Sequence, residues 1–136
     1  ESLALDGHQI SELPTEIGTL TGLADLSLST NALTSVPTEL GALTGLTVLG
    51  LYNNAIISYI GALTGLVDLG LSFNAITSLP TEIGDLAGLE YLALGDNDLT
   101  SVPTELGALT GLTMPTELGA LTGLSCSWRT TPLPQC

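Results

Sequence analysis

Leu23-Ala24-Asp25-Leu26-Ser27-Leu28-Ser29-Thr30-Asn31-Ala32-Leu33 is the stretch from which the rest of the chain can be read. Leu26 and Leu28 alternate with Asp25, Ser27 and Ser29, the period of two that sends apolar side chains to one face of a short strand and polar ones to the other. Asn31 follows where the strand must turn. The same frame returns as Leu46, Leu49, Leu51, Asn54, Ile56, then as Leu66, Leu69, Leu71, Asn74, Ile76, and again as Leu89, Leu92, Leu94, Asn97, Leu99. The opening leucines Leu23, Leu46, Leu66, Leu89 and Leu112 recur at one interval, shortened only between Leu46 and Leu66, so the chain is a repeat with one strand per coil and the strands stacked in parallel.

An asparagine tolerates the left-handed conformation and carries both an amide donor and a carbonyl acceptor. The column Asn31, Asn54, Asn74, Asn97 is therefore expected to form the corner after each strand and to satisfy backbone groups that water cannot reach. Farther along each coil, Val36-Pro37-Thr38-Glu39-Leu40-Gly41 predicts one helical or 3-10 turn, with proline as its first residue, an acid near its positive end and glycine as its stop. The spacing LxxLxLxxNx(L/I) followed by LTSLPxEIGxLTGL resembles the leucine-rich repeat family in its 23-residue form, from residue 3 to about residue 124. That resemblance implies an α/β solenoid, a right-handed coil with a parallel β-sheet on its concave face and short helical or 3-10 turns on its convex face. It also implies partner binding on the concave strands. The expected organisation is a solenoid over residues 1–124, about five coils with the last truncated, and a tail over 125–136.

Composition narrows the function. The 136 residues are 44% hydrophobic but only 4% aromatic and 11% charged, which calls for an aliphatic core and a surface of Thr, Ser, Asn and Gly. Fourteen acids face a single cation, Arg129, for a net charge of -13, and such a surface repels phosphate backbones and anionic lipid. Nucleic acid is excluded as a partner. No apolar run is long enough for membrane insertion. No nucleophile–base arrangement, phosphate-binding glycine loop or metal-spaced Cys/His cluster is present, so the reading is non-enzymatic, with no catalytic residue, metal or cofactor. The one histidine, His8, stands where later coils have asparagine and reads as a terminal-coil substitute.

Two departures from the repeat matter. The third coil, around Ile57 to Ile60, lacks the Pro-Thr-Glu triplet and is shorter than the others by those three positions, which predicts a tighter convex side. Pro103 to Leu112 recurs as Pro115 to Leu124 with no strand segment between the copies, so the regular sheet is expected to end with the strand at Leu92 and Leu94, or with a shortened rung near Leu112. Trp128 is then the natural lid for the open end, its loop closed by a Cys126–Cys136 disulfide. Two cysteines confined to an irregular tail, and a first residue that is not Met, point to a processed, extracellular protein.

Outward-facing columns follow from the period: Ser2, Asp25, Val48, Asp68, Tyr91; then Ala4, Ser27, Gly50, Gly70, Ala93; then Asp6, Ser29, Tyr52, Ser72, Gly95. On this face Tyr52, Phe73 and Tyr91, with Asp25 and Asp68, are the candidate interaction residues. Leu3 and Leu5 lie on the first rung with no rung before them, and the stretch from Leu112 to Leu124 lacks a strand, so end-to-end pairing of copies is expected. The favoured function is a structural, self-assembling module, a filament or oligomer whose partner is itself. The alternative is a monomeric domain that binds a protein or glycan on its concave face. Aligned threonines (Thr15, Thr38, Thr81, Thr104, Thr116 and Thr21, Thr44, Thr64, Thr110, Thr122) admit O-glycan decoration and, as a minor reading, ice binding.

Overall fold

The computed structural model describes residues 1–57 and 63–113. Five three-residue strands, β1 Ser2–Ala4, β2 Asp25–Ser27, β3 Val48–Gly50, β4 Asp68–Gly70 and β5 Tyr91–Ala93, form one parallel sheet in chain order. Each coil contributes one strand and hands it to the next in fixed register: Leu3, Leu26, Leu49, Leu69 and Leu92 are paired partners along the sheet. A strand of three residues cannot hold a sheet alone. It persists because the leucine before it, the leucine after it and the aliphatic residue beyond the asparagine all enter one continuous core, where Leu26, Leu28, Leu46, Leu49, Leu51, Ile56, Leu66, Leu69 and Leu71 are fully buried.

The return path of four coils is a five-residue 3-10 turn, η1 Thr15–Thr19, η2 Thr38–Ala42, η3 Thr81–Asp85 and η4 Thr104–Ala108. Its punctuation differs from the expectation by about one residue at each end. Pro14, Pro37, Pro80 and Pro103 are extended, with ψ near 150° (149, 148, 156 and 146), and precede the turn rather than open it. The glycine is not a stop either, because the turn runs past it to Thr19, Ala42, Asp85 and Ala108. It is required by packing: a Cβ on Gly18 would sit 2.5 Å from the carbonyl oxygen of Glu39 in the next turn, and one on Gly84 2.8 Å from that of Glu105. Successive turns are in backbone contact, and only glycine fits between them.

The left-handed residue of each corner is also displaced from the asparagine. Positive φ occurs at Thr30, Asn53, Phe73 and Asp96, each one position before Asn31, Asn54, Asn74 and Asn97, and at Gly7 and Gln9 in the first coil. Among the described residues β5 is the last strand, and the segment in which the duplication was expected to end the sheet lies beyond them. Pairing nevertheless continues one residue into the next rung, where the Thr113 N–H and hydroxyl both donate to the Glu90 carbonyl oxygen, at 2.8 and 2.6 Å. The expected tight arc of the third coil, Leu124, the lid Trp128 and the Cys126–Cys136 pair all lie outside the described residues.

Candidate functional site

The site is built by the corner. Asn74 donates its amide to the carbonyl oxygens of Leu51 and Leu71, each at 3.0 Å, and its Oδ1 accepts the N–H of Ile56 at 3.0 Å. Asn54 and Asn97 make the same three bonds one rung earlier and later. Each leucine carbonyl between two asparagines accepts from both, so Leu28, Leu51 and Leu71 join successive rungs into one ladder. Asn31 starts the column, bonding the Leu5 carbonyl and the N–H groups of His8 and Ile10. His8 itself is exposed and joins through its backbone.

The ladder holds the preceding residue left-handed whatever its side chain. That conformation costs a non-glycine residue about 1 kcal/mol or more, and here it is imposed on Thr30 and on the bulky Phe73. Phe73 is thereby set beside the strand face instead of in the core.

On the concave face the register makes three columns. Asp25, Val48, Asp68 and Tyr91 align on one side, and Ser27, Gly50, Gly70 and Ala93 align in the middle. Tyr52, Ser72 and the adjacent Phe73 stand on the other side. The outer columns are four residues apart along the chain, about 13 Å between backbone positions at roughly 3.3 Å per extended residue. Between them Gly50, Gly70 and Ala93 leave a trough nearly bare of side chains. A concavity of 380 Å³ lies there, lined by Val48, Gly50, Tyr52, Asp68, Gly70, Phe73 and Tyr91 among others. The structure thus brings together four of the five candidate interaction residues. Asp25 does not line the concavity and reaches it through charge: burial first, and Asp25 second, push the Asp68 carboxyl above its ordinary value of 3.8.

Three residues of the outward columns are buried rather than open to solvent, Ser29 at 0% and Ser72 and Ala93 at 9% exposed, and the Ser29 hydroxyl has no hydrogen-bond partner. At Ser29 the preceding coil contributes Asp6, whose Oδ1 accepts the Ser29 N–H at 2.8 Å and the Ser27 hydroxyl at 2.6 Å. Asp6 carries no distinctive motif; only its place one full repeat before Ser29 marks it. At the first coil Leu3 and Leu5 are partly buried, and Leu20 is 43% exposed where its equivalent Leu43 is 1%. Leu112, at the other end of the described residues, is partly buried against the core.

Parallel three-residue strands on one side, 3-10 turns on the other and an asparagine ladder at the corner define a class of repeat solenoid. The chain is a leucine-rich repeat protein, and solved structures agree. It superposes on a leucine-rich repeat protein of Leptospira interrogans with a TM-score of 0.78 at 36% identity, over 90% of this chain and 35% of that one. The leucine-rich repeat ectodomain of the plant membrane receptor kinase GASSHO1/SCHENGEN3 from Arabidopsis thaliana, solved in complex with Casparian strip integrity factor 2, gives a TM-score of 0.73 at 39% identity, over 82% of this chain and 14% of that one. YopM from Yersinia enterocolitica gives 0.61 at 29% identity, over 75% and 21%. The chain therefore spans about a third or less of each neighbour's length. No family model and no curated protein sequence matches it.

Proposed function

We propose that this chain is a non-enzymatic recognition module that binds a protein partner along the trough of its concave face. One observation carries the reading. Every Phe, Tyr or Trp side chain among the described residues (Tyr52, Phe73 and Tyr91) is exposed, and all three line the same concavity rather than the core. Large aromatics are the usual anchors of protein interfaces, and a glycine floor admits another backbone at close range. The Arabidopsis neighbour, solved with a bound factor, supports the class of partner.

A random peptide library displayed on phage and selected on the folded protein tests it. Recovered clones should lose about tenfold or more in affinity for a Tyr52→Ala/Tyr91→Ala variant with an unchanged melt, as expected when anchor side chains are truncated. Clones that bind the double variant as well as the parent would refute the trough as the site.

Self-association is the second reading, favoured by the first-coil end. The outer edge of β1 has no strand partner among the described residues, and Leu3, Leu5 and Leu20 are more exposed there than their equivalents inside. End-to-end stacking of copies, with Leu112 and Leu124 at the receiving end, would cover them. Light scattering against concentration, with Leu3→Glu as the breaking variant, decides it: a monomer at all concentrations ends this reading. An extracellular setting goes with a solenoid over 1–124 and a tail over 125–136 closed by Cys126 and Cys136. Two free thiols found by mass spectrometry without reductant would remove that support.

A further inference from the structure

The two walls of the trough differ in chemistry, and the difference specifies what lies between them. One wall sets Asp68 and Tyr91 side by side, as paired neighbours on β4 and β5, with Asp25 two rungs from Asp68 across Val48. The other is aromatic, Tyr52 and Phe73. The floor of Gly50, Gly70 and Ala93 presents backbone and methyl groups. We propose that the trough takes an extended polypeptide segment bearing a lysine or arginine, whose cationic head sits against the Asp68 carboxylate and the face of Tyr91 while its backbone lies on the glycine floor. This rests on the concave-face reading given above.

Four observations support it. The floor at Gly50 and Gly70 carries no side chains, so another backbone can lie close to the sheet there. Asp68 and Tyr91 are adjacent strand partners, about 4.8 Å apart along the sheet, so one cation reaches both: an ion pair on one side and a ring face on the other. Burial and Asp25 both act against the Asp68 negative charge, and an incoming cation offsets that penalty by its opposite charge. Finally, no Lys or Arg stands among the described residues to neutralise this wall, and the net charge of the chain is -13.

The test uses three synthetic eight-residue peptides on the folded protein: arginine alternating with valine, the same peptide with citrulline for arginine, and the same with glutamate. Fluorescence anisotropy at 150 mM salt reads the affinity. The arginine peptide should bind at least tenfold more tightly than the citrulline peptide, and the glutamate peptide should not bind. Asp68→Asn should weaken the arginine peptide about tenfold and leave the citrulline peptide unchanged. Gly70→Val should abolish both. A Cβ at that strand position meets nothing closer than 3.9 Å, and an unchanged melt of the Gly70→Val protein is required before its binding is read. Glu82→Gln, an exposed acid on η3, controls for general attraction to an acidic protein.

Arginine and citrulline peptides that bind equally, both lost on Gly70→Val and both indifferent to Asp68→Asn, would overturn the cation assignment and leave the trough reading standing. Arginine binding that survives Gly70→Val and falls equally with Glu82→Gln would overturn both. No binding of the arginine peptide below 1 mM would overturn the cation assignment, while the phage selection judges the trough separately.

Discussion

Replacing Asn74 with alanine should be among the most damaging single changes in the solenoid, although the side chain is polar and only partly buried. The substitution leaves the Ile56 N–H without its 3.0 Å acceptor. It also reduces the carbonyls of Leu51 and Leu71, which each accept from two asparagines, to one donor apiece. An orphaned buried donor costs about 1–3 kcal/mol, and each weakened carbonyl about 0.5–1 kcal/mol. The expected loss is about 3 kcal/mol, a large share of the 5–15 kcal/mol total stability of an ordinary domain. Urea titration followed by circular dichroism at 25 °C measures it as a shift in midpoint at constant slope.

Asn74→Asp sharpens the same test. It retains an acceptor for Ile56 but points a carboxylate at two carbonyl oxygens, so at pH 7 it should cost at least as much as alanine. The protonated acid can donate, so the native state holds the proton more tightly than the unfolded chain, and stability should recover as pH falls. Asn31→Ala, at a more open corner facing the exposed His8, should cost only about 1 kcal/mol. A loss under 1 kcal/mol for Asn74→Ala, or an aspartate variant as stable as the parent at pH 7, would refute the ladder as the source of corner stability.

Further expectations follow from the same geometry. Thr30→Gly relieves a β-branched residue held at φ 56° and should stabilise by about 1 kcal/mol in the same titration. Gly84→Ala, with a Cβ 2.8 Å from the Glu105 carbonyl oxygen, should cost about 2 kcal/mol, while Gly88→Ala, where the nearest atom is 3.6 Å away, should stay within about 0.5 kcal/mol. Ser29→Ala removes a buried hydroxyl without a partner and should be neutral or stabilising by up to about 1 kcal/mol. Asp68, raised by burial and by Asp25, binds its proton more tightly folded than unfolded, so its contribution falls as pH rises above the ordinary aspartate range. Thermal melts should therefore show Asp68→Asn more stable than the parent at pH 7, with the difference gone at pH 3; a difference independent of pH would contradict this.

The strands and the leucine columns were legible because a period-two pattern repeated four times leaves one register that buries the leucines of the interior rungs. The aromatic concavity was half legible. Tyr52 and Tyr91 follow from the alternation, whereas the placement of Phe73 depends on a left-handed residue that the ladder imposes one position before each asparagine. Asparagine's own tolerance of that conformation pointed to the wrong residue. Ser29 was misread because burial on an outward column depends on a neighbouring coil, where Asp6 folds over it. Likewise the glycines of the turns look like helix stops in one coil, and their real constraint, a carbonyl of the next coil, is invisible within a single repeat.

The shortened coil shows how such a protein can change over time. Three residues fewer separate Ile56 from Asn74 than separate Leu33 from Asn54 or Ile76 from Asn97, yet the bond across that step is 3.0 Å, against 3.0 and 3.1 Å for its counterparts, and Val48 still pairs with Asp68. The asparagine rail acts as a gauge that re-zeroes the register at every turn. Insertions and deletions on the outer arc are therefore silent on the inner face. Duplicated units can be spliced, trimmed and recombined at the back while the residues that meet a partner keep their places, so the inner face can diversify by point substitution alone.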